Sequence, residues 1–273
     1  MTLSWKKVFD NGSILTVMER NYIPGIYNWC DRWCEKCKFN DRCSLYAKEQ
    51  EEMAWEDAEG MDGEDFMEMV SKNLNDAMDL IHKLAEEKGI NLQEEAESEE
   101  NKISWEEMRK QEEALDQHPL VRKSFDYLDA SRIWIGSECI KNSLDQLEKE
   151  IALGLKNEAE GETEFQRVKD ALESVQWFQT MIPVKNKSAL NSSLERGFWD
   201  SYPPEERHYN GTAKLALLCI ERSINAWETL MKWMPEEESI LDRLADLQQM
   251  ESMLNQEFPD AKKFIRPGFD ENL

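Results

Sequence analysis

Apolar residues recur at spacings of three and four along most of the chain after residue 43, a pattern that predicts amphipathic α-helices. Residues 62–88 give the clearest example, and Gly89 follows them as a plausible helix end. The apolar positions of that helix are Phe66, Val70, Leu74, Ala77, Ile81 and Leu84. Only residues 14–17, Ile-Leu-Thr-Val, have a strand-like pattern, and one short strand has no partner to pair with. The pattern therefore predicts an all-α protein.

Further long helices are predicted in the second half of the chain. They cover about 119–154 and 163–182, and two more begin after the Asn210-Gly211 turn and at Pro235. Helices of this length joined by turns usually form a bundle. We therefore expect an all-α helical bundle of about four to six long helices, preceded by an N-terminal cysteine-rich metal-binding loop segment.

Charge is distributed unevenly along the 273 residues, which carry 33 Lys and Arg against 57 Asp and Glu, a net charge of −24. Residues 44–115 hold 7 basic and 23 acidic side chains, a net charge of −16, whereas residues 1–43 hold 7 basic and 5 acidic ones. Together with the helix pattern, this predicts a cysteine-rich segment at 1–46, an acidic helical region at 47–115 with a linker near 91–102, and a helical bundle at 116–273.

The charge and the apolar pattern exclude several partners. A strong polyanion repels phosphate backbones, so direct nucleic-acid binding is not expected. No run of 18 apolar residues is present, and residues 1–10 lack the apolar core of a signal peptide, so we expect no membrane insertion and a cytoplasmic location. The acidic surface instead favours a protein partner.

Four of the six cysteines fall within fourteen residues, in the pattern C-x3-C-x2-C-x5-C. They are Cys30, Cys34, Cys37 and Cys43. A reducing cytoplasm keeps thiols free, so such a cluster indicates a metal site before it indicates disulfides. Four cysteines can bind either tetrahedral zinc or a [4Fe-4S] cluster. Zinc sites usually join two C-x2-C pairs, and this pattern has one, so the staggered spacing and flanking aromatic residues favour [4Fe-4S], with zinc as the alternative.

Two family resemblances rest on these cysteines. Residues 34–43, CEKCKFNDRC, resemble the C-x2-C-x-F-x3-C iron–sulfur staple of RecB-like nucleases, which implies an iron–sulfur cluster; the strand-borne nuclease core of that family is not found in the sequence. Residues 30–37 also match the radical S-adenosylmethionine signature, which implies an iron open to a cofactor, although Lys36 stands where that family usually has an aromatic residue. The cysteine segment together with residues 211–227 resembles helical proteins of bacteria with no assigned role.

Polar residues that interrupt the apolar stripes are the other candidates for chemistry. Buried charges need partners, so these side chains either pair between helices or line a polar pocket in the bundle, which an enzyme would use. The residues of this possible bundle pocket are Arg132, Glu138, Glu173 and Arg222. Cys139 and Cys219 occupy apolar-stripe positions, where buried, inert thiols are usual, and a redox pair is the alternative.

These observations lead to one functional hypothesis and one alternative. The first is a cytoplasmic helical metalloprotein that binds one four-cysteine centre with a structural, redox or sensing role. The alternative is an acidic protein-interaction module with a structural zinc site. The sequence contains no Gly-rich phosphate loop, no Ser-His-Asp arrangement and no H-E-x-x-H motif, so it offers no support for nucleotide hydrolysis or most hydrolase chemistry.

Overall fold

A computed structural model describes residues 21–59, 63–97, 105–194 and 196–270. Throughout these ranges the regular structure is helical, which confirms the predicted all-α class. The strand-like run at 14–17 lies outside the described residues. The α-helices are α1 (Ser44–Glu59), α2 (Gly63–Lys88), α3 (Leu92–Glu97), α4 (Trp105–Asp116), α5 (Pro119–Ile135), α6 (Glu138–Ala152), α7 (Glu158–Ser193), α8 (Arg196–Trp199), α9 (His208–Trp233) and α10 (Ser239–Glu257). No helix in the described ranges is long and apolar enough to cross a bilayer.

The chain divides into two units. The first, here the cysteine unit, comprises the N-terminal part of the chain to Leu84 together with the C-terminal residues from Pro267. The second, the bundle unit, comprises Ala85–Arg266. Residues 267–270 thus belong to the same unit as the four clustered cysteines.

The core of the bundle unit lies between α5, α7, α9 and α10. Helices α7 and α9 pack against each other most extensively, α5 packs on α7 and α10, and α6 packs on α7. The largest fully buried side chains of this core are Leu120, Tyr127, Phe178, Ile182, Leu215, Ile220, Trp227, Leu230, Ile240 and Phe258. The apolar face that each helix presents at a period of 3.6 residues is therefore the face that the bundle buries.

The single helix predicted over 119–154 is wrong, because the chain forms α5 and α6 with a break between them. Gly136 ends α5, and Ser137 takes an extended conformation in which its hydroxyl accepts a hydrogen bond from the amide of Ile140, at 3.4 Å. A serine in this position satisfies an amide that the first turn of a helix leaves unpaired. The Gly-Ser pair therefore supplies both the break and the new N-cap.

The predicted end of the second helix at residue 182 is also wrong, since α7 continues through Pro183 to Ser193. A proline inside a helix removes one hydrogen bond and costs about 3 kcal/mol. Beyond Pro183, however, α7 buries Asn186, Ala189 and Leu190. Burial of these turns against the bundle offsets the local cost, so tertiary packing overrides the proline signal.

Two predicted helix starts shift by a few residues. Helix α9 begins at His208, so Asn210 and Gly211 lie in its first turn and not in a preceding loop. The Asn210 side chain donates to the carbonyl of Pro204, at 2.9 Å, which ties the incoming chain to the helix start. Helix α10 begins at Ser239, after a turn through Pro235.

A small set of polar groups is buried inside the bundle. The Tyr127 hydroxyl lies 2.5 Å from the Ser223 hydroxyl and accepts a hydrogen bond from the Trp227 indole, at 2.8 Å. The Asn186 amide donates to the Ser124 hydroxyl, at 2.7 Å. Burial raises the pKa of Tyr127, so its phenol stays neutral. These contacts join α5 to α7 and α9 and fix which faces of the helices meet.

Candidate metal centre

Short 3₁₀ turns carry the four clustered cysteines. The turns are Ile26–Trp29, Cys34–Lys36 and Asn40–Arg42. Cys30 directly follows the first turn, Cys34 opens the second and Cys37 closes it, and Cys43 closes the third. Since a 3₁₀ turn reverses the chain within three or four residues, this series of turns keeps all four cysteines close to one another despite the irregular spacing of 3, 2 and 5 residues.

All four cysteines line one cavity in the cysteine unit. The cavity has a volume of about 20 Å³ and is partly open to solvent. The other lining residues are Ile26, Tyr27, Asp31, Arg32, Trp33, Asn40, Tyr46 and Phe269. The four residues that the sequence singled out as metal ligands are therefore brought to one place, in a surrounding that is largely aromatic and apolar.

Backbone amides point at two of the four sulfur atoms. The Phe39 amide donates to Cys37 Sγ, at 3.4 Å, and the Arg32 amide donates to Cys30 Sγ. In both cases the donor lies two residues after the cysteine. Arg32 reaches this arrangement with a φ of 59°, a left-handed conformation that a residue with a side chain rarely adopts. Hydrogen bonds of this kind stabilise the charged form of a sulfur atom.

Burial and neighbouring groups, in contrast, raise the pKa of two of the thiols and so favour their neutral form. Burial raises the pKa of Cys30, and the nearby Cys37 and Cys43 sulfurs raise it further. The pKa of Cys34 is raised to about 11 by burial and then by the Glu49 carboxylate and the Cys30 and Cys43 sulfurs. The Cys30 and Cys34 thiols therefore stay protonated near neutral pH unless a cation lies beside them.

A small apolar core supports the cavity from behind. Ile23, Ile26, Phe39 and Cys43 are buried together, and the Phe269 ring meets the Phe39 ring edge-on with centroids 5.2 Å apart. The amide of Ile23 donates to the carbonyl of Arg42, at 3.0 Å, and closes the loop from its first turn to its last. The sequence held no signal for Phe269, because it lies more than 220 residues from the cysteines; only the Pro267-Gly268 pair marks a turn there.

Three basic residues of the cysteine segment contact aromatic or acidic neighbours. The Lys36 ammonium lies over the Trp33 ring, 4.2 Å from its centroid, and Lys38 lies over the Phe39 ring. The Arg32 guanidinium is 3.8 Å from the Glu49 carboxylate. Both lysines therefore lie over aromatic rings of the cysteine segment.

Within the described ranges, no three His, Cys, Asp or Glu side chains form a ready-made ligand set for one metal ion. The four thiols are free and unlinked by disulfides, with Cys43 buried and the other three half-buried. They surround the cavity and do not meet at a point.

The structure places the four residues of the predicted bundle pocket on α5, α6, α7 and α9. Arg132 and Glu138 are exposed, so the inward position expected for Arg132 is wrong, and Glu138 pairs with Lys141 at 2.7 Å. Glu173 is half-buried on α7, and the Arg222 guanidinium lies over the Phe178 ring, 5.8 Å from its centroid. A wide cleft does exist between α4, α5 and α7, but none of these four residues lines it.

The two remaining cysteines lie on different helices of the bundle unit and differ in exposure. Cys139, on α6, is exposed, whereas Cys219, on α9, is buried, and both are free thiols. Burial raises the pKa of Cys219 to about 12. Cys219 therefore fits the predicted buried, inert thiol, and the exposure of Cys139 contradicts the same prediction for it.

Comparisons of the chain with protein families, with curated proteins and with solved structures find no match. The resemblance of residues 34–43 to the RecB-like iron–sulfur staple stays a prediction.

Proposed function

We propose that Cys30, Cys34, Cys37 and Cys43 bind one metal centre, and that the protein is a helical metalloprotein in which this centre has a structural, redox or sensing role. The observation that carries the proposal is that all four cysteines line the same cavity. Thiolate is the ligand that zinc and iron–sulfur clusters both prefer, and a metal cation would offset the mutual repulsion of four thiolates. Amide donors to Cys30 and Cys37 are a further feature that suits ligating sulfurs.

Within this proposal a [4Fe-4S] cluster is favoured over zinc. Zinc sites usually join two C-x2-C pairs, whereas this segment has only one such pair and a staggered spacing of 3, 2 and 5 residues. Aromatic groups from Tyr27, Trp33, Tyr46 and Phe269 line the cavity that the cysteines share and would shield a cluster from solvent.

The role follows from the number of ligands. With one cysteine for each of four irons, no coordination position is left for a substrate, so electron transfer, sensing of oxidants or stabilisation of the fold are what the centre can supply. This separates the proposal from radical S-adenosylmethionine chemistry, in which one iron is open. Cys43 lines the same cavity and would be the fourth ligand.

The first experiment measures the metal directly. Anaerobic purification, followed by an absorption spectrum and by iron, sulfide and zinc analysis of the same sample, is expected to give a brown protein with absorption near roughly 400 nm and about four irons per chain. A colourless protein with one zinc per chain would instead support the structural zinc site.

Substitution of one ligand tests the assignment of the four cysteines. Cys37→Ser removes a proposed ligand and is expected to abolish most of the metal content. Cys139→Ser is the matched control, because Cys139 is an exposed thiol of the bundle unit, outside the cavity. Equal metal content in both variants would overturn the ligand assignment.

The second candidate is an acidic interaction module, in which zinc holds the cysteine unit together and the region around residues 44–115 binds a basic partner. The net charge of −16 in those residues favours it. One zinc per chain together with capture of a basic protein that is lost at high salt would support this candidate. Four irons per chain would exclude this candidate.

A further inference from the structure

Helix α2 keeps all its charged residues away from one apolar stripe over eighteen residues. Written as heptads abcdefg from Met67, its a and d positions are Met67, Val70, Leu74, Ala77, Ile81 and Leu84. The charged residues between Met67 and Ala85 all lie at positions b, c and f. They are Glu68, Lys72, Asp76, Asp79 and Lys83. This regular alternation of three and four is the pattern of a helix that packs against another helix along its whole length.

The apolar side of α2 is exposed in a single chain. Leu74 keeps 63% of its surface exposed, Ile81 48% and Leu84 45%. The e and g positions that border this stripe add Met78 and Leu80, both more than half exposed. A helix in water gains most of its stability from burying such a stripe, so α2 needs a partner surface to cover it.

The charge pattern identifies that partner. In helix pairs, charged residues at e and g select partners of opposite charge. Between Met67 and Ala85 these positions hold Ser71, Asn73, Met78, Leu80 and Ala85, none of which is charged. A basic partner would therefore find no acidic residues beside the stripe, although the rest of the region is strongly acidic. Two copies of a chain with a net charge of −24 repel each other, and a neutral face is where they can approach at least cost.

We propose that α2 pairs with α2 of a second copy of this chain through its a and d positions. The stripe is self-complementary, since its large residues, Leu74, Ile81 and Leu84, can meet the same row on the other copy, as a twofold-symmetric pair requires. The charged b, c and f positions face solvent in such a pair and keep it soluble.

The test compares two variants that add the same negative charge to α2, one within the apolar stripe and one outside it. Leu74→Glu places a carboxylate at an a position, and Asn75→Glu places one at the neighbouring b position; both residues are exposed in a single chain. In gel filtration with light scattering at micromolar concentration, the parent protein and Asn75→Glu are expected to have the mass of two chains. Leu74→Glu is expected to have the mass of one, with self-association at least tenfold weaker.

Two results would overturn the proposal. One is a single-chain mass for the parent protein, which would mean that another segment or a different partner covers the apolar stripe. The other is a two-chain mass for Leu74→Glu, which would place the contact elsewhere. Ile81→Glu repeats the test one heptad further along, and circular dichroism checks that each variant keeps the helix content of the bundle unit.

Discussion

At the scale of single residues, two glycines shape the cysteine unit. Gly25 and Gly268 both adopt left-handed backbone conformations, with φ of 71° and 75°. Their surroundings differ, since a Cβ on Gly25 would come no closer than 3.6 Å to a neighbour, whereas one on Gly268 would lie 2.9 Å from the Ile23 side chain. Gly268 is therefore required both for its backbone angle and for the space it leaves to the apolar core behind the cavity.

This difference predicts unequal effects of two alanine substitutions. Gly25→Ala is expected to destabilise the cysteine unit by about 1–2 kcal/mol, the cost of a left-handed residue with a Cβ. Gly268→Ala adds the clash with Ile23 and is expected to cost about 2–4 kcal/mol. Hydrogen exchange of the amides between residues 26 and 42 measures the destabilisation in each variant. Equal exchange in the two variants would show that the close approach at Gly268 costs nothing.

The candidate ligands could be identified from the sequence, but the residues that support them could not. Cysteines are scarce, so four within fourteen residues stand out without any knowledge of the fold. Phe269 touches Phe39 from the far end of the chain, and an aromatic residue in an irregular segment carries no local signal of such a contact. The left-handed angle of Arg32 is equally invisible, because nothing about an arginine predicts it.

At the scale of elements, periodicity predicted where helices form, and packing decided where they end. The apolar stripe of 62–88 matches α2 almost to the residue, because nothing competes with it locally. Pro183 was expected to end a helix, yet α7 passes through it because the next two turns are buried. Local signals thus fail where tertiary contacts outweigh about 3 kcal/mol of proline cost.

Helices α6 and α7 approach each other closely at one glycine. This contact predicts whether an alanine there stabilises or destabilises the bundle unit. Gly161, in the first turns of α7, faces Ile151 of α6, and a Cβ at Gly161 would lie 2.6 Å from Ile151 Cγ1. Alanine normally stabilises a helix relative to glycine, by up to about 1 kcal/mol. Here the clash dominates, so Gly161→Ala is expected to destabilise the bundle unit by about 1–2 kcal/mol.

A double-substitution experiment separates these two effects. In an Ile151→Ala background the clash is absent, so adding Gly161→Ala is expected to raise the free energy of unfolding instead of lowering it. Urea unfolding followed by far-ultraviolet circular dichroism measures the four proteins of the cycle. The same sign of the Gly161→Ala effect in both backgrounds would rule out the contact with Ile151 as its cause.

At the scale of the whole molecule, each of the two units has its own apolar core. The core of the bundle unit contains large buried side chains from four helices, including Trp227 and Phe178. The core of the cysteine unit is small, with Ile23, Ile26, Phe39 and Cys43 at its centre. So few buried side chains contribute little stability alone, and small units of this kind are usually held by metals or disulfides.

Removal of the proposed metal centre should therefore affect the two units differently. Metal binding to a small unit contributes directly to its folding, so a chelator, or oxidation where the centre is an iron–sulfur cluster, is expected to increase amide exchange of residues 26–42 at least tenfold. The α7 and α9 amides of the bundle core should keep their protection, because their burial does not depend on the cysteines. Hydrogen exchange with mass spectrometry before and after metal removal measures the exchange of both units in one sample.

Unchanged exchange of residues 26–42 after complete metal loss would mean that the centre does not hold the cysteine unit together. A redox or sensing role would then be favoured over a structural one.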